Sequence, residues 1–430
     1  MDLPWFIWLE SFEHLPAKEK ASFRLMNREW AASINCSLYN LLTPEVVLLK
    51  RIGKYVKSIV SHLEIKYLKL VKEQCPRLAH IAFKGQPMWV SAKTLDCFEA
   101  VASMPFLISL SIGIPFYRDT LFNIPLGTSL KMIDLNLSGL EMEEQIEYIS
   151  ALNLPNLIVL HLNGLIPSPN MLHYSKLSLV KKVRLQYDSE EIMVTKTLIP
   201  PIETLEKATI EIKSNRPSHH LPNPKFVPNL VSVAFITPRP LELFRKEGHI
   251  YPSVKHLYLD SSFNMLGKIQ RIFPNCVSFE LFLDEGKMPN LSHDIEGIKW
   301  LNLSLDPRNV FKSKLQVESL TTLSINDTLF SWAISCLPNL EHLRLSGSKL
   351  QKATKLPPDN LKTLPSLLTL YVIGLREDAY YRKLLPCLPN LEHIYSDYVA
   401  KNKTVISKVS PNVKVHAYVP MENIIKYHGA

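Results

Sequence analysis

The sequence predicts an α/β solenoid, with short parallel strands stacked into one sheet, helices and loops behind them, and a short all-α segment in front. Three observations predict it. First, the string LPNLEHLRL at 337–345 returns as LPNLEHI at 388–394, and its apolar skeleton L-x-x-L-x-L recurs along most of the chain. Second, the segments between the copies carry apolar residues at roughly helical intervals. Third, the first forty residues lack the skeleton and read as three short amphipathic helices.

The skeleton occurs in fourteen units, whose first apolar positions are Leu78, Leu107, Leu130, Leu157, Val180, Leu205, Leu230, Val254, Cys276, Ile298, Leu320, Leu340, Leu367 and Leu391, a mean step of about 24 residues. Degraded edge units are expected near Val56 (VKSIV) and Val413 (SPNVKV). Within x-x-L-x-L, side chains alternate, so the two leucines face one side and the x residues the other. A lone strand this short does not hold its shape. Stacked at about 4.8 Å, the strands form a sheet and the leucines a continuous core. The recurring Pro-Asn ahead of the strand is punctuation, because proline biases its predecessor toward extended backbone.

The skeleton and its spacing resemble the leucine-rich repeat. The resemblance implies a curved parallel sheet with helices and loops on its convex face. The usual Asn of the L-x-x-N-x-L ending is mostly missing, and Asn163 in LHLNGL is a near-match. Helices are expected in the connectors 94–104, 141–152, 262–273 and 377–388. The acidic cluster Glu141, Glu143 and Glu144 suits a helix start, where negative charge meets the dipole. Polar, proline-bearing loops are expected at 212–225 and 348–362.

In the first forty residues, Leu3-Pro4 opens a helix, since proline's missing N–H is not needed in the first turn. Phe12 and Leu15 form a second apolar set, closed by Pro16. Phe23, Met26, Trp30 and Ile34 share a helical face at spacings of three and four. A segment this small needs another surface to cover so many large apolar groups. The order Leu3-Pro4, a first helix with Ile7, Leu15 before a polar turn, then Phe23-Arg24-Leu25-Met26-Asn27-Arg28 ahead of Trp30 resembles an F-box. Phe6, Ser11 and Lys20 depart from the usual pattern, which has an acidic residue, an aliphatic and a leucine there.

An F-box followed by leucine-rich repeats resembles the substrate receptors of cullin-RING (SCF) ubiquitin ligases. What this implies is a division into an F-box-like helical domain (1–45), a linker or N-terminal edge repeat (46–77), the leucine-rich-repeat solenoid (78–400) and a C-terminal edge repeat or cap (401–430). The F-box would dock on a Skp-type adaptor tied to a cullin scaffold through Leu3, Pro4, Ile7, Leu15, Phe23, Leu25, Met26 and Trp30. The repeats would hold a protein substrate whose identity no motif specifies. Such a receptor raises the effective concentration of substrate lysines and performs no chemistry.

The x residues identify the candidate substrate surface. Early units offer small or neutral groups such as Ser109, Ser111 and Val159, and the middle has Lys182 and Arg184. The C-terminal half carries His256, Tyr258, Trp300, His342, Arg344, Tyr371, His393 and Tyr395, and aromatics with arginine are the residues that anchor interfaces.

Composition bounds the alternatives. Hydrophobic residues are 46% and charged residues 21%, as in globular chains. The six cysteines form no C-x-x-C pair and read as small buried hydrophobes in a reducing compartment. No secretory signal opens the sequence, where Asp2, Glu10 and Glu13 interrupt the apolar run, and no uncharged stretch reaches the ~18 residues of a membrane span. These features place the protein in the cytoplasm, the nucleus or both, with no membrane partner. Thirteen glycines, widely spaced, leave no dinucleotide or P-loop pattern, and no hydrolase or kinase signature occurs. His219-His220 reads as a solvated loop pair, so no metal, cofactor or catalytic residue is expected. The net charge of +9 is mild for 430 residues and does not demand nucleic acid. It favours one alternative, a repeat scaffold without a ubiquitin link that binds nucleic acid or an acidic partner.

Overall fold

A computed structural model describes residues 53, 56, 58–61, 68–83, 103–113, 115, 126–166, 177–188, 199–212, 223–236, 249–260, 269–283, 297–305, 317–326, 337–346, 364–373, 381–382, 384–397 and 399–417. The chain divides into two compact units, Met1–Ser214 and Asn215–Ala430. The first holds β1 (Ser58–Ser61), β2 (His80–Phe83), β3 (Ser109–Ile112), β4 (Met132–Asn136), β5 (Val159–Leu165), β6 (Lys182–Tyr187) and β7 (Lys207–Ile212). The second holds β8 (Ser232–Ile236), β9 (His256–Asp260), β10 (Ser278–Leu283), β11 (Trp300–Leu305), β12 (Thr322–Asn326), β13 (His342–Ser346), β14 (Thr369–Ile373), β15 (His393–Ser396) and β16 (Lys414–Ala417). Within each unit, consecutive strands are neighbours and run parallel. Each unit is a stretch of leucine-rich-repeat solenoid.

All fourteen skeletons form strands, each starting two residues after its first apolar position. The two edge sequences form β1 and β16. The predicted alternation holds in β4, β5, β7 and β8, where half-buried or exposed side chains alternate with buried ones along most of each strand. Leu340, Leu343 and Leu345 are all 0% exposed. Even Ala208, in the weakest copy, is fully buried. Cys75 and Cys276 are free and buried, and burial pushes their thiols up to about 12 and about 11.

The Pro-Asn pair does more than punctuate. The N–H of the first apolar residue donates to the carbonyl three residues earlier, as from Leu157 to Leu154 (3.1 Å) and Leu340 to Leu337 (3.3 Å). This closes a β-turn with proline at its second position, where the ring pre-sets φ. The asparagine then reaches back to the preceding rung's turn. Asn156 Nδ2 donates to Thr128 O (2.9 Å), Asn275 to Pro252 O (2.8 Å), Asn339 to Glu318 O (2.8 Å) and Asn390 to Pro365 O (2.6 Å). Where asparagine is lacking, hydroxyls reach back instead. Ser129 donates to Leu107 O, Thr204 to Ser178 O and Ser319 to Ile298 O. These bonds satisfy turn carbonyls that no strand pairing reaches.

Helices are few among the described residues: α1 (Leu68–Gln74), α2 (Met142–Ala151), α3 (Ile269–Ile272) and α4 (Val399–Val409). Helix α2 fills the connector expected at 141–152. Its start is the acidic cluster, where the Glu144 carboxylate accepts the Glu141 backbone N–H at 3.0 Å. Its buried Gln145 ties three segments together. Nε2 donates to the carbonyls of Leu137 and Gly164, both at 3.0 Å, and Oε1 accepts the Ile166 N–H at 2.9 Å. Gly164 lies where β5 slips register against β6; its φ is +72°, and a Cβ there would sit 2.6 Å from Ser138.

Only 269–273 of the connector 262–273 is described, most of it as α3, and 377–388 ends in a 3₁₀ turn at Leu385–Cys387. Nearly all of 94–104 and all of 348–362 lie outside the described residues. The expected loop 212–225 begins at the last residue of β7, and a 3₁₀ turn spans Pro224–Phe226. The F-box-like segment 1–45 lies outside the described residues. Among the described residues, no helix is long and apolar enough to cross a membrane.

Candidate protein-interaction surface

The sheet face opposite the leucine core carries two rows of side chains in each unit, fixed by the parallel register. In the second unit the first row runs His256, Ser278, Trp300, Thr322, His342, Thr369, His393, Lys414. The second row runs Tyr258, Glu280, Asn302, Ser324, Arg344, Tyr371, Tyr395, His416. All eight residues expected at the substrate surface therefore lie in these rows, six of them as pairs on β9, β13 and β15.

Exposure within the rows alternates between large and small side chains. His256 is exposed; Tyr258, Trp300, His342, Arg344, His393 and Tyr395 are half-buried. Thr322, Ser324 and Thr369 are 5%, 4% and 6% exposed. Each sits between two larger neighbours, and at a rung spacing near 4.8 Å those neighbours cover it.

Tyr371 corrects the expectation of a solvent-facing anchor. It is 1% exposed, and its ring stacks on Tyr395 with centroids 4.8 Å apart and planes 12° apart. Register aligns Arg344 on its other side. Tyr371 supports the face and does not present itself to a partner. The stack continues from Tyr395 to His416, again at 4.8 Å. His393 Nδ1 lies 3.1 Å from His416 Nε2, so one ring nitrogen donates and the other accepts. Burial, His393 and Lys414 together hold His416 below its ordinary 6.5.

The repeated Glu-His of the duplicated string has the same geometry in both copies. Glu341 lies 3.9 Å from His342 Nε2, and Glu392 lies 3.8 Å from His393 Nε2. Both carboxylates sit one residue before the strand, at the border of the face.

The first unit's face is different. The Asp134 carboxylate accepts from Ser111 Oγ (3.0 Å) on one side and Asn163 Nδ2 (2.8 Å) on the other. Arg184 pairs with Glu211 at 3.3 Å, and Lys181 with Glu206 at 2.7 Å. His161 stands between Asp134 and Arg184, and burial lowers its pKa. Asp134 and Arg184 are thus answered laterally by their own neighbours, whereas Lys182 lies beside Lys207 in register.

No family model matches the chain. Three of the solved structures similar to it illustrate the likeness. A complex of TLR13 with ssRNA13 aligns at 15% identity over 86% of this chain and 62% of that one, with a TM-score of 0.43. CroV588, a circular leucine-rich-repeat protein, aligns at 12% identity over 75% and 53%, with a TM-score of 0.34. The Rad7–Elc1 complex in yeast aligns at 13% over 97% and 98%, with a TM-score of 0.31. The chain thus spans less than two thirds of the first two.

The candidate adaptor residues Leu3, Pro4, Ile7, Leu15, Phe23, Leu25, Met26 and Trp30 lie outside the described residues. Sequence reasoning missed Lys414 and His416 on the face. Their signal was the turn SPNV, which marks β16 as a rung whose x residues belong to the same rows. Among the described residues, no group of three or more His, Cys, Asp or Glu side chains is placed to hold a metal ion.

Proposed function

We propose that the chain is the substrate-recognition subunit of an SCF-type ubiquitin ligase. Residues 1–45 dock on a Skp-type adaptor linked to a cullin, and the face of the second unit holds a protein substrate. The role is non-catalytic: binding brings substrate lysines near a ubiquitin-loaded enzyme, and proximity raises the rate.

The observation that carries the reading is a pairing within one sequence. An F-box-like order of Leu3-Pro4, Leu15 and Trp30 precedes a repeat solenoid whose second-unit face is lined with aromatic, imidazole and guanidinium groups. Such groups are the ones that anchor protein interfaces.

The test is co-purification with a Skp-type adaptor, using the full chain and a chain lacking residues 1–40. Capture by the full chain and loss on deletion is the expected result. A full chain that captures no adaptor rejects the ubiquitin link and leaves a repeat scaffold.

A further inference from the structure

We propose that the face of β11–β16 is a docking surface for an acidic polypeptide segment, one dense in Asp and Glu. The proposal rests on reading this face as the substrate surface, and it names the chemistry of what binds there.

The distribution of charge is the first support. Residues 215–430 hold 26 Lys and Arg against 18 Asp and Glu, a net of +8. Residues 1–214 hold 23 against 22, a net of +1. The chain's excess of +9 therefore belongs almost wholly to the unit that bears this face. A like-signed unit concentrates oppositely charged partners near it and speeds their association.

The second support is the face itself. None of the twelve positions in the two rows from β11 to β16 is a carboxylate. Arg344 and Lys414 carry fixed positive charge, and the half-buried His342, His393 and Tyr395 bring imidazole and phenol groups to the same face. On the first unit's face Asp134 sits in the row and Glu211 takes Arg184, while Lys182 and Lys207 lie side by side. The nearest carboxylates are Glu280, one rung before Asn302 in the second row and 3.5 Å from its Nδ2, and three at the rows' edge. Glu341 and Glu392 precede β13 and β15 with side chains 49% and 65% exposed, and Asp397 follows β15. They restrict where a negative segment can lie: along the rows, short of Glu280 at the β10 end and away from that border.

The dimensions set the segment's length. Six rungs at about 4.8 Å span about 24 Å, which an extended peptide covers with about seven residues. Trp300 at one end and Tyr395 near the other supply apolar contact beside the charges.

The experiment uses the full chain and a fluorescein-labelled peptide of about ten residues, rich in Asp and Glu, with an Asn/Gln counterpart as control. The expected result is saturable anisotropy with the acidic peptide and at least about tenfold weaker binding of the counterpart, with affinity falling as salt rises. Arg344→Gln with Lys414→Gln weakens binding about fivefold or more, whereas Lys182→Gln with Lys207→Gln on the first unit's face leaves it unchanged. Arg344→Lys with Lys414→Arg keeps the charge and keeps the binding, which separates loss of charge from loss of fold. Equal affinity for both peptides, or wild-type affinity in the Arg344→Gln/Lys414→Gln chain, overturns the proposal. So does a single-stranded oligonucleotide that displaces the peptide and binds more tightly through Arg344 and Lys414. Adaptor capture plays no part in this readout. A chain that binds the peptide and no adaptor sinks only the ubiquitin reading, and one that binds adaptor and no acidic peptide sinks only this one.

Discussion

His161 shows how a single side chain on a strand face acquires a direction of pH dependence. It stands half-buried in β5, aligned with Asp134 on one side and Arg184 on the other. Burial is the largest influence and lowers its pKa from 6.5; Asp134 pulls it up and Arg184 pushes it down. The folded chain therefore prefers the neutral ring more strongly than the unfolded chain does. The resulting stability is fully present above the unfolded value near 6.5 and is lost as pH falls through the window below it. A titration of the His161 ring by NMR is expected to give a midpoint below 6.5, lowered further by Asp134→Asn. A midpoint at or above 6.5 in the wild-type chain would refute the assignment of burial as the leading cause. Stability measured from pH 7 to pH 5 should lose part of its slope in His161→Gln.

At the scale of one rung, the leucines and the turn do separate work. Three apolar side chains per repeat drop from water to near-zero exposure, and each large one contributes on the order of 1.5–3 kcal/mol. That term makes the rung collapse. It does not fix the rung against its neighbour, since apolar burial is non-directional. The turn asparagine supplies direction, bonding one rung's turn to the turn before it. Asn339→Ala leaves the Glu318 carbonyl without this donor and is expected to cost about 1 kcal/mol in urea unfolding, as is Asn390→Ala. Asn339→Ser should recover part of the loss, because Ser319 and Ser129 already make such contacts from the same turn position. An unchanged unfolding midpoint in Asn339→Ala would show that the bond only replaces one to water.

Legibility follows from this division. The strands were readable because alternation and spacing write the leucine core directly into the sequence, down to the edge rungs at VKSIV and SPNVKV. The asparagine ladder was visible as letters and hidden as a function, since its acceptor lies on another repeat some 21 to 28 residues away. Tyr371 was misjudged for a related reason. Alternation assigns it to the outer face, but only register reveals that Arg344 and Tyr395 flank it. Residues of the site could be listed from one strand at a time; their mutual cover could not.

At the scale of the whole chain, the proposed function divides labour between residues 1–45 and the second unit's face. Nothing in the leucine core forces one to depend on the other, because a repeat array is stabilised by each rung and its nearest neighbours. Two variants then have opposite expected phenotypes. Trp30→Ala removes one of the three tryptophans of the F-box-like segment and should abolish adaptor capture, with acidic-peptide affinity within about twofold of wild type. Arg344→Gln with Lys414→Gln should keep adaptor capture and lose the peptide. The pair is scored side by side, adaptor capture by co-purification and peptide binding by anisotropy, with urea unfolding to establish that both chains are folded. Loss of both activities in either folded variant would mean that the two ends of the chain are energetically coupled. A receptor built as an adaptor-binding segment joined to an independent repeat surface predicts that the two losses separate cleanly.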